Sequence, residues 1–511
     1  MEAITFVLFG ATGDLAKRKI YPALYNLFID QKLPKSFSVF GLGRRELSDP
    51  DFQANVEKSL RMFSRRKVID QENLQKFIEV FRYRVLDVGH KEDYKTLLQE
   101  IEQQEQKLET KSNRMFYLSV GPQFFGTIAA NIQESGLGKT SGWKRLVIEK
   151  PFGHDLQSAR ELNESLSIAF REEEIFRIDH YLGKPMVQKL EVLQNNNPVF
   201  KALWDNRYIA NIQITSNETV GVEERAGYYD QAGAVRDMFQ NHMLQLLMML
   251  TTHSPNNTTN DDVREKKKIV MNSLEQLHKE DVKSSVIRGQ YGAGVIDGNP
   301  VVGYTSEPNI PEDSSNDTFI AAKLKIDDYF WRGVPFYIRT GKRMKEKSTR
   351  IVIEFKEPLK KSGGTQDENK KPNLLVFEIS PDERISLHLN TRDPLNKEKI
   401  KPMYIDFHES QANLPEAYEN LIGDALNGDS TFFAHWEEVE LSWQWVEPIL
   451  EAYNENLVPL HIYAAGTNGP SASDELLAQD GYHWWFDQEE EKRTETIEED
   501  LSLVTKSPVL Q

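Results

Sequence analysis

The chain contains no cysteine among its 511 residues. Disulfide bonds, thiolate nucleophiles and cysteine metal sites are therefore excluded, and the composition fits a reducing compartment. Basic residues are also fewer than acidic ones. The chain has 62 Lys and Arg and 79 Asp and Glu, which gives a formal charge of −17. This balance argues against a nucleic-acid-binding protein, whose surface must be basic.

Long apolar runs are missing as well. The sequence has no apolar stretch of about 18 residues, so it predicts no transmembrane helix. The N-terminus enters the apolar run 4–9 directly, without the basic segment and small-residue cleavage site of a secretory leader. We therefore expect a soluble cytoplasmic protein.

The length of the chain suggests two or three domains. In the first part, short apolar runs at 4–9, 38–42, 115–120 and 145–148 alternate with helical patterns. Such alternation is typical of a Rossmann-like, doubly wound α/β domain, which we place at residues 1–180.

After about residue 206, strands dominate, with one long helix predicted from Asp230 to Leu250. The clearest strands are 208–215, 319–326, 336–339, 351–355, 374–379 and 385–389. This segregation predicts a larger α+β domain on a mostly antiparallel sheet, residues 181–486. Residues 487–511 have no periodic apolar face and begin with an acidic run, so we predict an acidic, disordered tail there.

The first predicted strand ends in a glycine-containing loop, formed by Gly10, Ala11, Thr12, Gly13, Asp14 and Leu15. The pattern Gly10-x-x-Gly13-x-x-Ala16 between a strand and a helix is a variant of the dinucleotide-binding fingerprint. Glycines let the backbone approach a pyrophosphate, and the helix N-terminus offers amide donors. The alternative is a plain strand-to-helix turn with Asp14 as the N-cap.

The end of the second strand distinguishes the two nicotinamide cofactors. An NAD site usually has a carboxylate there, which binds the ribose hydroxyls. Here Gly43 is followed by Arg44 and Arg45, with no acid before Glu46. Two guanidinium groups suit a 2′-phosphate, so we predict NADP rather than NAD. The alternative is a solvated arginine pair that opens a loop.

Oxidation of an alcohol by NADP needs a base that accepts the hydroxyl proton, and histidine suits that role. Among 11 histidines, His242 lies in a mostly apolar helical segment beside a polar cluster that includes Asp237. At 3.6 residues per turn, Asp237 and His242 are about 140° apart around the axis, so Asp237 is poorly placed to orient the imidazole. We expect another segment to supply that carboxylate, and Asp179 is the best candidate.

Five motifs occur in an order that matches a known family. They are Gly-Ala-Thr-Gly-Asp-Leu-Ala-Lys-Arg-Lys (10–19), Glu-Lys-Pro-Phe-Gly (149–153), Arg-Ile-Asp-His-Tyr-Leu-Gly-Lys (177–184), Arg-Asp-Met-Phe-Gln-Asn-His (236–242) and Arg-Thr-Gly-Lys-Arg (339–343). Together they closely resemble glucose-6-phosphate dehydrogenase of the bacterial type. The resemblance runs from about Ile4 to Trp485, and the 177–184 motif alone is close to diagnostic.

The resemblance implies a role for each member of a site. His242 would remove the proton from the C1 hydroxyl of β-D-glucose 6-phosphate, and Asp179 would stabilise the resulting imidazolium. The phosphate would be bound by His180, Tyr181 and Lys184. Further substrate contacts would come from Glu218, Asp237, Lys342, Lys347, Lys150 and Lys19. The cofactor would contact Gly10, Ala11, Thr12, Gly13, Asp14, Leu15, Arg44, Arg45, Asp87 and Lys150. No metal site is implied.

The reaction implied is hydride transfer from C1 to NADP, which gives 6-phospho-D-glucono-1,5-lactone and opens the oxidative pentose phosphate pathway. Two alternatives are a related NADP-dependent oxidoreductase acting on another sugar phosphate and a non-catalytic NADP sensor. The family also implies a homodimer or a dimer of dimers, with the sheet of the second domain at the interface.

Three questions stay open at this level. One is whether NAD is also used. Another is whether the Lys150–Pro151 peptide is cis. The third is where the helix near Pro185 begins, because a helix that started at Asp179 would be kinked by this proline, whereas one that started near Pro185 would leave the phosphate residues on the preceding turn.

Overall fold

The computed structural model of the protein describes residues 3–66, 70–107, 112–253, 260–357, 371–395, 399–407 and 414–487. The predicted tail therefore lies outside the described residues, except for Asp487. The chain forms two compact units, of which the first comprises Met1–Trp204, Arg236–Gln276 and Glu409–Pro448, and the second Asp205–Val235, Leu277–His408 and Ile449–Gln511. Both units are discontinuous in sequence. The predicted division into residues 1–180, 181–486 and 487–511 stays a prediction.

The first unit contains a six-stranded parallel sheet. Its strands are β1 (Ile4–Phe9), β2 (Phe37–Gly43), β3 (Phe81–Val85), β4 (Asn113–Leu118), β5 (Lys144–Glu149) and β6 (Ile175–Ile178). All neighbouring strands are parallel, in the order β3-β2-β1-β4-β5-β6. This is the strand order of the doubly wound dinucleotide-binding fold. The prediction of a Rossmann-like first domain is confirmed.

Helices alternate with these strands. The α-helices of the first unit are Tyr21–Ile29, Asp49–Phe63, Gln71–Ile78, Lys91–Lys107, Phe125–Ser135, Leu156–Ser167, Pro185–Asn196, Pro198–Leu203, Leu244–Thr251, Asn260–Asn272 and Ala417–Asn427, and Trp436–Asn454 begins in it. Short 3-10 turns lie at Pro122–Phe124 and Glu172–Glu174. One core joins Phe6 and Leu8 of β1 to Leu24, Phe52 and Leu421. The late helix Ala417–Asn427 thereby completes a core that begins with the first strand.

The parallel register brings the carboxyl ends of the six strands to one edge of the sheet. Phe9 pairs with Leu42, and Glu149 pairs with Ile178. Residues that follow the strands along this edge are Gly10, Arg44, Asp87, Lys150 and Asp179. In open α/β sheets, ligands bind outside this edge. The fold therefore places predicted cofactor and catalytic residues where such a sheet binds its ligand.

The second unit is built on a nine-stranded sheet. Its elements include β7 (Ile209–Asn217), β8 (Val286–Gly292), a separate hairpin of β9 (Gly294–Ile296) and β10 (Asn299–Val301), then β11 (Phe319–Lys325), β12 (Pro335–Gly341), β13 (Ser348–Phe355), β14 (Leu374–Ser380), β15 (Arg384–Arg392), β16 (Ile400–Phe407) and β17 (Leu460–Ala464). The order is β16-β15-β14-β13-β7-β12-β11-β8-β17. Only β7–β12 and β8–β17 are parallel among these neighbours. The predicted mostly antiparallel sheet is confirmed.

In the described part of the second unit, the helices that lie wholly within it are short. They are Ala226–Ala234, Val282–Ser285 and Ala472–Ala478, with 3-10 turns at Glu223–Arg225, Lys279–Asp281 and Tyr304–Ser306. Within the described ranges, no helix has both the length and the apolar character that crossing a membrane requires.

The prediction of a continuous helix from Asp230 to Leu250 is wrong. The α-helix Ala226–Ala234 is broken at Gly233, which has φ +65° and ψ 179°. The segment Val235–Met243 is π-helical, and an α-helix resumes at Leu244–Thr251. Asp317 stabilises the break, since its backbone oxygen accepts from Ala234 N and its carboxylate from Val235 N, both at 3.1 Å.

Candidate active site

Asp179 and His242 form a buried pair in the first unit. Asp179 directly follows β6, and His242 lies in the π-helical segment Val235–Met243. Nδ1 of His242 lies 2.5 Å from Oδ1 of Asp179, and the side chains are 1% and 3% exposed. The predicted carboxylate and the predicted base are therefore in direct contact.

The predicted angle of about 140° between Asp237 and His242 is wrong. It assumed 3.6 residues per turn, whereas a π-helix bonds residue i to residue i+5. Five residues then span little more than one turn, so Asp237 and His242 are closer around the axis than the α-helical angle predicted. Asp237 instead binds Lys150. Nζ of Lys150 donates to the backbone oxygen of Asp237 at 2.6 Å and lies 3.5 Å from the Asp237 Oδ1 atom.

Aromatic rings surround the imidazole of His242. The ring of Tyr181 stacks on it with 4.3 Å between centroids, and His180 meets it edge-on at 4.6 Å. Nζ of Lys184 lies 4.0 Å from the centroid of the Tyr181 ring. The three predicted phosphate-binding residues therefore lie beside the predicted base, and their contact with a phosphate stays a prediction.

The segment between β6 and the next helix is a series of turns. Tyr181 N donates to Asp179 Oδ1 at 2.9 Å, and Lys184 N donates to Tyr181 O at 3.2 Å. The helix itself begins at Pro185, the first helical position, with Lys184 as its N-cap. Proline is well tolerated there, because its missing amide has no partner in the first turn. Of the two open alternatives, the structure shows the helix that starts at Pro185.

The protonation of the pair follows from its surroundings. Burial raises the pKa of Asp179. Four interactions outweigh this effect and lower that pKa to about 2: the charge of His242, its hydrogen bond, the charge of His180 and the hydrogen bond from the Tyr181 amide. Burial lowers the pKa of His242, and Asp179 opposes part of that change. Burial, together with His242, also holds the pKa of His180 well below its usual value. The pair is thus an ionised carboxylate beside a neutral imidazole.

This arrangement leaves one nitrogen for proton transfer. An ionised carboxylate only accepts hydrogen bonds, so Nδ1 of His242 donates to Asp179 and Nε2 carries the lone pair of the neutral ring. Ligand atoms of Asp179, His180 and His242 also lie within 4.8 Å of one another, a spacing that suits a metal ion. Asp179 and His242 are hydrogen-bonded to each other, and no metal site is predicted from the sequence.

The glycine loop after β1 is tight and lies against the end of β4. Gly10 has φ +78°, and a Cβ built on it would lie 2.1 Å from Ser119 O. The Gly10 and Ala11 amides donate to Leu42 O at 3.0 Å each, and Gly13 N donates to Gly10 O at 2.9 Å. A side chain at Gly10 would clash here, which explains the first glycine of the pattern.

The other loop residues continue into a helix. Thr12 is partly buried, and Asp14 accepts from Arg18 Nε at 2.8 Å. Leu15 precedes a π-helical turn, Ala16–Ile20, which leads into Tyr21–Ile29. The Asp14 carboxylate thus pairs with a residue one turn onward.

The predicted NADP-specificity residues lie on exposed loops at the same sheet edge. The side chains of Arg44 and Arg45 are exposed directly after β2, and Tyr83 Oη donates to Arg45 O at 2.8 Å. Asp87 is also exposed, after β3, and accepts from Gly89 N at 2.9 Å. Two accessible guanidinium groups therefore follow the strand that neighbours the glycine loop.

The remaining predicted substrate residues are held in ion pairs or are exposed. Lys19 pairs with Glu416 at 2.8 Å in the first unit. In the second unit, Lys342 pairs with Glu218 at 2.5 Å, and Lys347 is exposed. Their contact with substrate stays a prediction.

Two family models match consecutive parts of the chain. The model described as glucose-6-phosphate dehydrogenase, NAD binding domain, matches residues 7–189. The model described as glucose-6-phosphate dehydrogenase, C-terminal domain, matches residues 191–485. The chain belongs to the glucose-6-phosphate dehydrogenase family.

Individual relatives agree over nearly the whole length. The glucose-6-phosphate 1-dehydrogenase of Bacillus subtilis is 47% identical over 483 residues, which are 94% of this chain and 97% of the relative. That of Leuconostoc mesenteroides is 42% identical over 486 residues, covering 94% and 98%. A solved structure titled glucose-6-phosphate dehydrogenase in complex with its substrate glucose-6-phosphate matches with a TM-score of 0.87 at 34% identity, covering 94% and 98%. The predicted family is confirmed, and with it an oxidoreductase that uses a nicotinamide cofactor.

Two features beside the Asp179–His242 pair go beyond what the sequence predicted. The Lys150–Pro151 peptide is cis, one of the two isomers that the sequence allowed. Glu149 belongs to one of the five motifs but had no predicted role, although its carboxylate accepts hydrogen bonds from Tyr117 and Tyr418. The signal in the sequence was an acidic residue directly after the apolar run Leu146-Val147-Ile148.

Proposed function

We propose that the protein oxidises β-D-glucose 6-phosphate at C1 to 6-phospho-D-glucono-1,5-lactone and transfers the hydride to NADP. The observation that supports it most directly is the 2.5 Å contact between His242 Nδ1 and Asp179 Oδ1. Within a family whose relatives are named glucose-6-phosphate 1-dehydrogenase, this pair supplies the base that alcohol oxidation requires.

In this proposal, His242 acts as the general base. Nε2 accepts the proton of the C1 hydroxyl as the hydride leaves C1. The imidazolium that forms is stabilised by the ionised carboxylate of Asp179 at Nδ1. NADP, when bound, supplies the hydride acceptor. Lys150, held by Asp237, would contact the sugar and the cofactor at the carboxyl edge of the sheet.

Phosphate binding is assigned to His180, Tyr181 and Lys184. A dianionic phosphate favours several donors and at least one cation. The phenol of Tyr181 and the ammonium group of Lys184 supply these, and His180 offers a ring nitrogen. We further propose that Lys342, Lys347, Glu218 and Lys19 contribute to substrate binding, as the family resemblance implies.

Cofactor binding is assigned to the loop Gly10–Leu15, with Asp87 nearby. Its tight backbone lets a pyrophosphate approach, and the helix that follows directs its N-terminus toward that group. Arg44, with Arg45, would bind the 2′-phosphate that distinguishes NADP from NAD.

The test is the appearance of NADPH absorbance with a panel of sugars. We expect turnover with glucose 6-phosphate and little with glucose, because glucose lacks the anion that Lys184 would bind. No NADPH from glucose 6-phosphate would contradict the proposal. Faster turnover of another hexose phosphate would favour the related sugar-phosphate oxidoreductase instead.

We also propose a cytoplasmic homodimer or dimer of dimers that uses the sheet of the second unit. Strand β16 lies at one end of that sheet and exposes apolar side chains, namely Met403, Tyr404, Ile405 and Phe407. An exposed apolar edge strand normally pairs with or packs on another surface. Light scattering should give at least twice the chain mass, and a monomer at micromolar concentration would contradict the assignment.

A further inference from the structure

Glu149, the last residue of β5, has its carboxylate held between two tyrosine hydroxyls. Tyr117 of β4 donates to Oε1 at 2.6 Å. Tyr418, at the start of helix Ala417–Asn427, donates to Oε2 at 3.4 Å. All three residues belong to the first unit. One donor on each oxygen restricts the carboxylate to one orientation.

The position of Glu149 brings it next to charges that the proposed reaction uses. Lys150 follows it in the chain and bonds to the Asp237 backbone. Across the sheet, Glu149 pairs with Ile178, and Asp179 is the next residue. The charged and titratable groups that face Glu149 are thus Tyr117 from β4, Lys150 from its own segment, Asp179 after β6 and Tyr418 from the late helix.

The helix Ala417–Asn427 is hydrogen-bonded to the segment that contains Asp179. Asn420 Nδ2 donates to Gly183 O at 3.1 Å. The adjacent Glu419 accepts from Arg65 Nε at 2.7 Å and from Nη2 at 2.9 Å. A Cβ on Gly183 would lie 2.6 Å from Ala417 O. The hydroxyl of Tyr418 is therefore held in a defined place relative to the 177–184 motif.

We propose that Glu149 is a positioning residue for the reaction, whose negative charge beside Asp179 and Lys150 strengthens His242 as a base. It acts through these neighbours, because additional negative charge around Asp179 favours the imidazolium that proton transfer creates. This inference rests on the proposed function.

The surroundings allow this charge to change near physiological pH. Withdrawal of the carboxyl group from water raises the pKa of Glu149 to about 7, although the hydrogen bonds of Tyr117 and Tyr418 and the charge of Lys150 lower it. Below that pH the carboxyl group is neutral and His242 is a weaker base. Turnover then falls in two stages with decreasing pH, first partially with Glu149 and then completely with His242, whose pKa is lowered by burial.

The first test is Glu149→Gln, assayed as kcat against pH with saturating glucose 6-phosphate and NADP. The amide still accepts hydrogen bonds from both tyrosines but never ionises. We expect the first, partial decrease of kcat near neutral pH (the partial step) to disappear. At pH values above that step, kcat should fall about three- to tenfold, since one pKa unit in the base corresponds to about a tenfold factor. KM for glucose 6-phosphate should change by less than about twofold. An unchanged two-step profile would overturn the inference.

Tyr418→Phe keeps Glu149 and tests the same ionisation in another way. It removes a hydrogen bond that lowers the Glu149 pKa, so the partial step should move to higher pH. A step that stays in place or moves to lower pH would contradict the assignment. This second variant keeps the test decisive if Glu149→Gln fails to fold.

Asp424→Asn is a matched control on the same helix. Burial and Asp429 raise the pKa of Asp424 to about 7, so it titrates in the same range, but its charged neighbours are Asp429 and Lys32. We expect the partial step to persist in this variant; its loss would assign the step to Asp424 and overturn the inference. If the unmodified protein makes no NADPH, the proposed function is contradicted. If the unmodified protein is active but the partial step persists in the Glu149→Gln variant, only the role of Glu149 is contradicted.

Discussion

At the scale of residues, the proton chemistry depends on a histidine that stays neutral until it accepts a proton. Burial lowers the pKa of His242, and the carboxylate of Asp179 limits that decrease. Nδ1 of His242 is hydrogen-bonded to Oδ1 of Asp179 at 2.5 Å. The ring therefore has one tautomer and one orientation before substrate arrives, so little reorganisation accompanies proton transfer.

His242→Asn tests the base directly. Asparagine fills a similar space but cannot accept the proton, so kcat should fall about 10²- to 10⁴-fold. KM should change little, because the lost interaction forms mainly in the transition state. His90→Asn is the control, since His90 is an exposed histidine that bonds to Asp93 at 2.6 Å. Turnover of the His242 variant near that of the control would place the base elsewhere.

Asp179→Asn tests how the carboxylate tunes the histidine. Asp179 raises the pKa of His242, so its removal should lower that pKa further. The base works only when neutral, and the acid-side loss of kcat/KM should therefore move to lower pH. The maximum rate should fall at least about tenfold, because the imidazolium loses its buried partner. A pH profile that moves to higher pH would show that this carboxylate does not control His242.

Arg44→Ala tests the cofactor assignment. Loss of a charge-assisted bond of about 1.5–3 kcal/mol should raise KM for NADP about ten- to a hundredfold. KM for NAD should stay within about twofold, because NAD lacks the 2′-phosphate. Initial rates with both cofactors measure this, and equal effects on both would contradict the 2′-phosphate role.

At the scale of elements, the segment around His242 shows what periodicity can and cannot predict. The apolar pattern predicted a helix, but the π-helical segment Val235–Met243 has only 9 residues, too few for its different period to be distinguished from that of an α-helix. The break at Gly233 was equally hidden, since single glycines also occur inside helices. By contrast, β1 was clear, because a strand buried on both faces is a continuous apolar run. Strand β3 was not singled out, because Arg82 and Arg84 interrupt it.

Gly233→Ala tests the break before the π-helical segment. A Cβ there would lie 2.5 Å from Asp317 Oδ1, and the residue has φ +65°. The free energy of unfolding should therefore fall by about 1–3 kcal/mol. Gly227→Ala is the matched control, because its Cβ meets no atom within 4 Å among the described residues. That change should be neutral or stabilising by up to about 1 kcal/mol. Equal urea midpoints for both variants would contradict this account.

At the scale of the whole molecule, long-range pairs set the limit of what a sequence predicts. Asp179 and His242 are 63 positions apart, and they were paired because the chemistry required a carboxylate and one motif offered it. Glu149 and Tyr418 are 269 positions apart, and nothing in the local sequence of either residue indicates the other. The Rossmann-like class and the two sheet types could be predicted from patterning. The partners of Lys19, Lys150 and Glu149 depend on how distant segments pack.

Ligand-linked stability provides a test that does not depend on turnover. Glucose 6-phosphate at about a hundred times its Kd should stabilise the folded protein by about 2.7 kcal/mol and raise its melting temperature. Glucose at the same concentration should give little shift, because it lacks the phosphate assigned to His180, Tyr181 and Lys184. Lys184→Met should reduce the shift with glucose 6-phosphate. An equal shift with glucose, measured by scanning fluorimetry, would contradict the phosphate assignment.

The late helix Ala417–Asn427 has a consequence for synthesis on the ribosome. Tyr418 is made 269 residues after Glu149, which at about 5–20 residues per second is a delay of roughly 13–54 s. Throughout that time, the core shared by Leu24 and Leu421 lacks its last helix, and apolar surface stays uncovered. The first unit therefore completes its packing only when most of the chain has been made, and we expect its uncovered apolar surface to be exposed to chaperones until then.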